Sequence, residues 1–398
     1  MTMDIKRLQN ESLTDFKIRI CSNKAILNLT WKDVADVINK ETGQTFGESA
    51  YRKWFNSFND GLEYANENNV TDSEAIQELK EKTKDFEIAK IQYQDQTREY
   101  RALLRHEARL DNLLKKMLDS IKDEINTNKP LEWVKPIYHK GSKGALTLLL
   151  SDLHRGMKTD NHWNKYDEDI FYERLNQVTQ EVLEYKKLTN ADEIHVFELG
   201  DAISGSIHRM TKIKETENAV ESTQKVAEAL SELLSVLSNS FSQVHYYNVK
   251  GNHDRVAARK EEEVRTESFH SFIVWYMKAR LENHKNIVFH DNELDSEIIV
   301  AEIKGNYYFG VHGHLDSLGK VVQDLTMMTR KFAKAIFMGH YHRNYENEIH
   351  GVDLIMNGSF GGTDDYAKDV RLTSKAHQKL LWLDENGRKA TFYLTFNK

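Results

Sequence analysis

Cysteine and proline are almost missing from this chain. Its 398 residues include one cysteine, Cys21, and two prolines, Pro130 and Pro136. A lone cysteine excludes an intrachain disulfide framework and predicts a reducing compartment. No run of about eighteen apolar residues exists, and the amino terminus lacks the basic-then-apolar pattern of a secretion signal. No membrane association and a cytoplasmic location are therefore expected. Positive charge is not in excess either, since the net charge is −7. That argues against wholesale binding to polyanions and leaves local basic patches or bound cations as the means of holding an anion. Against these absences stand 39% hydrophobic residues, enough for a core, and a length that predicts two or more folding units.

Residues 1 to about 70 predict three short helices. Phe16, Ile20, Ile26 and Leu27 suggest the first. Thr30-Trp31-Lys32-Asp33 reads as a capping-box start to the second, with Trp31, Val34, Ala35 and Ile38 on one face and Gly43 ending it. Ala50, Tyr51, Trp54, Phe55 and Phe58 mark a third. The order resembles a helix-turn-helix module, with Ser49, Arg52, Lys53 and Asn56 available on its outer face for DNA. Nine Lys/Arg stand against ten Asp/Glu over these residues, so the basic footprint of duplex binding is missing. A small protein-interaction bundle is the alternative.

From Asp72 to Asn126 there is neither glycine nor proline, which predicts a helix of about 80 Å if unbroken. Leu103, Leu110, Leu114, Met117, Ile121 and Ile125 keep a near-heptad seam. Either this helix forms a coiled coil with a second copy, giving a homodimer, or it folds back on its own chain. Pro130 and Pro136 bracket the junction at which it must stop. The expected organisation is a helical domain over 1–70, a long-helix linker over 71–129 and a third domain over 137–398.

Beyond the junction, strands alternate with helices, which predicts a layered α/β domain. Ala145 to Leu150 is apolar throughout and ends in Ser151-Asp152-Leu153-His154-Arg155-Gly156. Ile194 to Leu199 ends in Gly200-Asp201. An alternating run through Val244, Tyr246, Tyr247 and Val249 ends in Lys250-Gly251-Asn252-His253-Asp254. Tyr307 to Val311 ends in His312-Gly313-His314, and Ala335 to Met338 in Gly339-His340-Tyr341-His342. Five strand ends thus carry Asp, His or Asn, with glycine repeatedly adjacent where backbone must approach a ligand. A helix is expected from Ile213 to Phe241, striped with Val220, Val226, Ala227, Leu230, Leu234 and Leu237.

Asp-x-His, Gly-Asp, Gly-Asn-His-Asp, His-Gly-His and Gly-His-x-His, in that order, resemble the signature of the calcineurin-like metallophosphoesterase superfamily over roughly residues 145–365. Asp-Leu-His-x-Gly at the first motif, with an attached DNA-handling architecture, is most similar to the DNA double-strand-break repair nucleases. The resemblance implies a β-sandwich flanked by helices in αββα layers. It also implies a pair of divalent cations: Asp152, His154 and His342 on the first, Asn252, His312 and His340 on the second, and Asp201 between them. His253 would stabilise the transition state or protonate the leaving oxygen, with Asp254 orienting its imidazole.

The residue types argue the same chemistry. Hydrolysing a phosphate ester requires neutralised phosphoryl oxygens and hydroxide near neutral pH, and two close metal ions supply both. Imidazole, carboxylate and one amide oxygen suit Mn²⁺ best, with Fe²⁺, Zn²⁺ or Mg²⁺ as alternatives. Taken singly, Asp152 could instead cap a helix and His154 satisfy a carbonyl. His314 is more suited to substrate than to metal. His162, His195, His245 and His290 lack motif context and read as structural. Asn357-Gly358-Ser359-Phe360-Gly361-Gly362 is either a turn bringing N–H groups near the site or a plain connection.

One departure stands out. In the repair-nuclease branch a second catalytic histidine follows the Gly-Asp aspartate by three residues, and here that position is Ser204. His208 is the substitute candidate, and Arg209, Lys212 and Lys214 are candidates for gripping a substrate backbone, a solvated charged loop being the alternative. The expected activity is a dinuclear phosphodiesterase cutting DNA. The alternatives are an enzyme for a small nucleotide, or a DNA-binding scaffold with an inert phosphoesterase domain.

Overall fold

The computed structural model describes residues 5–67, 73–136, 142–205, 217–257, 260, 263–264 and 267–396. Two compact units divide the chain, Met1–Arg109 and Leu110–Lys398.

In the first unit, α1 (Leu13–Ser22), α2 (Trp31–Thr42) and α3 (Glu48–Glu67) form a small helical core. The Thr30 hydroxyl accepts from the Asp33 N–H while the Asp33 carboxylate accepts from the Thr30 N–H, so two donors that helix geometry leaves unpaired are satisfied. Gly43, at φ +68°, closes α2 with its N–H on the Asn39 carbonyl. Phe16, Ile20, Val34, Ala35, Ile38 and Tyr51 are buried together. The first helix is shorter than its apolar spacing suggested. Asn23 caps it by donating to the Arg19 carbonyl from both backbone and side chain, which leaves Ile26 75% exposed in the turn beyond. Ser49, Arg52, Lys53 and Asn56 are exposed along α3.

The long helix is continuous as α4 (Ser73–Thr127). The division into units falls inside it rather than at the prolines, and the reason is packing. Met117 is buried in the core of the second unit, with Leu113 against it. The side chains of Leu103, Leu110, Leu114, Ile121 and Ile125 lie outside the described residues. The proline-bracketed junction is itself tied down. Trp133 Nε1 donates to Asn286 Oδ1 at 2.8 Å, the Val134 N–H to Asn239 Oδ1 at 2.7 Å, and Arg280 to the Lys129 carbonyl at 2.6 Å.

The second unit stacks four layers, helix, sheet, sheet, helix. Its larger sheet runs β13-β12-β1-β4-β5-β6, built from β1 (Gly144–Leu150), β4 (Glu193–Glu198), β5 (Gln243–Asn248), β6 (Ile287–Phe289), β12 (His377–Asp384) and β13 (Gly387–Thr395). β1, β4, β5 and β6 are mutually parallel, and β12 and β13 close the edge antiparallel. The smaller sheet runs β10-β11-β9-β8-β7, from β7 (Ile299–Ile303), β8 (Asn306–Val311), β9 (Ala333–Met338), β10 (Tyr345–Ile349) and β11 (Val352–Met356). A two-stranded ribbon of β2 (Thr159–Asp160) and β3 (Lys165–Tyr166) follows the first motif.

Every residue of β1 is buried, as a strand covered on both faces requires. Ala145 and Leu149 face the other sheet, where Phe197, Tyr247, Ile299, Tyr308, Phe337 and Ile355 share one core. Leu146, Leu148 and Leu150 face α5 (Glu168–Thr189), α6 (Ala219–Ser238) and α7 (Phe269–Arg280). Beyond the second sheet, α8 (Val321–Thr329) packs Val321, Val322 and Leu325 on Ile336, Met338 and Leu354. Each such fully buried side chain contributes roughly 1.5–3 kcal/mol. α6 starts at Ala219, where Asn218 and Glu221 form a reciprocal capping box; residues 213–216 of the expected helix lie outside the described residues. A short helix, α9 (Asp365–Asp369), follows the last motif. Among the described residues no helix is long and apolar enough to cross a membrane.

Candidate metal centre

Five strands discharge into one place. β1, β4 and β5 are parallel in one sheet and β8 and β9 in the other, so their carboxyl ends gather along one edge of the sandwich. From these ends come Asp152 and His154, then Asp201, then Asn252 and His253, then His312, and last His340 and His342.

The backbone there is unusual. Of twelve described non-glycine residues with positive φ, five are Asp152 (53°), His154 (45°), Asp201 (57°), His340 (66°) and His342 (53°). Each such residue costs of order 1–3 kcal/mol and persists only where its surroundings over-determine it. Tight loop packing does so here. A Cβ on Gly251 would lie 2.0 Å from Asp201 Oδ1 and 2.3 Å from its backbone N, and one on Gly205 would lie 2.1 Å from the His253 carbonyl oxygen. The His340 N–H donates to the Asp152 carboxylate at 3.1 Å, joining the first motif to the last.

Two clusters result. Asp152, His154, Asp201 and His342 each bring one ligand atom to within 4.8 Å of the others, and so do Asp201, His312 and His340. Asn252 Oδ1 joins the second at 3.1 Å from His312 Nε2. Asp201 is common to both. Its Oδ1 accepts from the His253 N–H at 2.8 Å, whereas Oδ2 is buried without a hydrogen-bond partner, with His312 Nε2 3.2 Å away and His154 and His253 each at 4.0 Å. An orphaned carboxylate oxygen between two donor groups is where a pair of cations belongs.

The charges fit as well. Burial, aided by the neighbouring His253, pushes His154 down to about 3. Burial and His312 push His340 down to about 4, so both rings offer lone pairs at neutral pH. Burial opposes charge on His312 too, but the Asp201 carboxylate outweighs it and raises His312 to about 10. Asp152 likewise raises His342. Asp201 in turn is held well below the usual carboxylate range, His312 and His253 overcoming its burial. Unpaired, these buried carboxylates draw protons onto imidazole, and divalent cations would take over that role. His312 is oriented for it, with Nδ1 on the Leu199 carbonyl at 2.7 Å and Nε2 facing inward.

Residues 146–369 match the calcineurin-like phosphoesterase family, more than half of the chain. The chain belongs to that family. Residues 1–70 match the YonJ N-terminal domain. An uncharacterized SPbeta prophage-derived protein of Bacillus subtilis (strain 168), YonJ, is 28% identical over 387 residues, covering 94% of each chain. Among solved structures, an archaeal phosphodiesterase is 14% identical with a TM-score of 0.33, over 63% of this chain and 99% of its own. A hypothetical protein of Pyrococcus horikoshii is 11% identical with a TM-score of 0.34, over 64% of this chain and 89% of its own.

Around the calcineurin-like clusters, support comes partly from residues without motif context. His253 Nδ1 lies 2.7 Å from the Ser204 carbonyl, so Ser204 holds this ring. That corrects the role expected of Asp254. The Asp254 carboxylate instead accepts from the N–H groups of Gly251 (2.7 Å), Asp201 (2.9 Å) and Ile203 (3.4 Å), binding two ligand loops together. Burial pushes Asp254 up to about 6. Below it His270 Nε2 pairs with Glu198, whose other oxygen accepts from the Gly200 N–H at 3.1 Å. The Phe269 N–H donates to the Asp254 carbonyl, which places His270 there. A glutamate closing the apolar Val196-Phe197 pair three residues before Asp201 was the available signal for Glu198. Nothing local marks His270.

The remaining candidates separate. His314 stands outside the clusters, its ring centroid 5.3 Å from that of His312. His208, Arg209, Lys212 and Lys214 lie outside the described residues. The Asn357–Gly362 stretch spends its N–H groups on the first motif, Phe360 on the Ser151 carbonyl and Gly361 on that of Asp152. His195, His245 and His290 form a ladder across β4, β5 and the end of β6, with His195 stacked on His245 at 4.5 Å and His245 Nδ1 2.9 Å from His290 Nε2.

Proposed function

We propose that this phosphoesterase is a nuclease: it hydrolyses phosphodiester bonds of DNA at the two clusters joined by Asp201, with Mn²⁺ as the cation best suited to their N and O donors. The observation that carries the reading is the buried, unpartnered Asp201 Oδ2 with His253 Nε2 4.0 Å away. Bound there, two divalent cations supply charge neutralisation on the phosphoryl oxygens and an acidified water. The chain supplies the rest. Asp152, His154, His342, Asn252, His312 and His340 fix the donor geometry. The Ser204 carbonyl takes the Nδ1–H of His253, so the ring, when it also carries a proton on Nε2, would give that proton to the leaving oxygen and return to the neutral Nδ1–H form. Ser204 occupies the position at which the repair nucleases carry a second histidine, and His208, the candidate to replace it, lies outside the described residues.

DNA as substrate is supported by the exposed Ser49, Arg52, Lys53 and Asn56 of α3, side chains suited to phosphate and base contacts in a helix-turn-helix arrangement. Purified protein with Mn²⁺ should cleave single- or double-stranded DNA, and His253→Ala should not. Undiminished cleavage by that variant, or none by the wild type, rejects the reading. A second reading, a small nucleotide as substrate, is favoured by a cavity beside the second cluster.

A further inference from the structure

We infer that this cavity is a nucleobase-binding subsite that holds the base next to the scissile phosphate. The inference rests on the phosphodiesterase reading for its place in the reaction, but its test does not depend on turnover.

The cavity encloses about 430 Å³ and shares the wall formed by His312 with the second cluster. It falls in the size range of small-molecule sites, roughly 300–1,000 Å³. A group attached to a phosphate at the clusters therefore has somewhere to go. Carboxylates reach it from three parts of the fold: Glu297 before β7, Asp316 after β8 and Asp324 on α8. Neither lysine nor arginine lines it. All three line the one cavity, and Asp316 is pushed up by burial and then by Asp324 and Glu297. Such a lining repels a phosphate and accepts N–H donors.

Two ligand classes would satisfy carboxylates, a metal ion or an organic group rich in N–H. Among the described residues, the groups of three or more side chains whose ligand atoms all lie within 4.8 Å of one another are the two clusters around Asp201. Glu297, Asp316 and Asp324 form no such cluster, and separate donors on a larger ligand fit them. Glu297 is pre-set for this. Lys250 Nζ holds its Oε1 at 3.2 Å, while Oε2 is buried without a hydrogen-bond partner, His314 Nε2 lying 3.9 Å from it, and His314 Nδ1 is likewise buried without one. Met327 and Met328 add exposed thioether side chains, which make favourable contacts with aromatic rings. Guanine suits the set best, because its N1–H and N2–H can meet one carboxylate in parallel, and thymine suits it least.

The test is calorimetric titration of the Mn²⁺-loaded full chain with guanosine 5′-monophosphate and with ribose 5-phosphate, which has the same sugar and phosphate but no base. The nucleotide is expected to bind on the order of tenfold more tightly. Glu297→Gln with Asp316→Asn should remove that difference and leave ribose 5-phosphate affinity unchanged. Asp324→Asn, on an exposed position of α8, provides a variant that does not endanger folding. Equal affinity for the two ligands, an undiminished preference in all variants, or tighter binding of choline phosphate than of the nucleotide would overturn the assignment. In parallel, guanosine 5′-(p-nitrophenyl phosphate) and bis(p-nitrophenyl) phosphate report hydrolysis. Base-dependent binding without hydrolysis of either ester would sink the phosphodiesterase reading and keep the subsite.

Discussion

The backbone carbonyl of Ser204 lies 2.7 Å from Nδ1 of His253 and so fixes which ring nitrogen faces the metal clusters. A backbone group does what the sequence reading asked of Asp254. Ser204→Ala keeps that carbonyl and should change little. His253→Ala should lower turnover of a phosphodiester by about 10² to 10⁴-fold while leaving bound metal per chain unchanged. Steady-state kinetics alongside elemental analysis distinguishes this from damage to the clusters, which would lower both.

Cation binding should release protons at pH 7. In the metal-free protein His312 is raised to about 10 from 6.5, so its Nε2 carries a proton that a cation must displace. The sign follows directly. The Asp201–His312 pairing stabilises the metal-free fold fully below pH 6.5 and loses that contribution as pH rises through about 10, so apparent metal affinity climbs over the same window. Titration calorimetry in two buffers of different ionisation enthalpy measures the protons. Zero release at pH 7 would contradict the assignment of His312 as a ligand.

Gly251→Ala should cost stability and metal together. The added methyl meets the Asp201 carboxylate and backbone at 2.0–2.3 Å, so the two loops must part, at roughly 1–3 kcal/mol or more. Gly47, with nothing within 4 Å of its would-be Cβ, is the control. Thermal melts and metal stoichiometry of Gly251→Ala and Gly47→Ala should differ in that order.

Met117→Ala should destabilise the Leu110–Lys398 unit by about 2–5 kcal/mol, because its side chain is 7% exposed in that unit's own core. Denaturant midpoint reads the loss. Light scattering should show an unchanged oligomeric state. A change in assembly without loss of stability would mean that Met117 faces a second copy.

Much of this was legible before any coordinates. Asp152, His154, Asp201, Asn252, His312, His340 and His342 could be singled out because each closely follows an apolar run, Asp201, Asn252, His312 and His340 sit directly beside glycine, and the order of the five motifs resembles a known family. The Thr30–Asp33 capping box and the Gly43 stop are local chemistry and were equally readable. What stayed hidden is non-local. Whether Met117 faces a partner or its own chain depends on a core assembled from many separate strands and helices. The support given by Glu198, His270 and Asp254 has no spacing rule, since it is created by sheet register.

The left-handed backbone at Asp152, His154, Asp201, His340 and His342 sets the centre against the rest of the fold. Replacing one of these residues by glycine relieves its torsional penalty while deleting a donor. At those five positions, selection for heat resistance alone would erode the chemistry, and a more rugged relative with glycine there would be a reason to suspect lost activity.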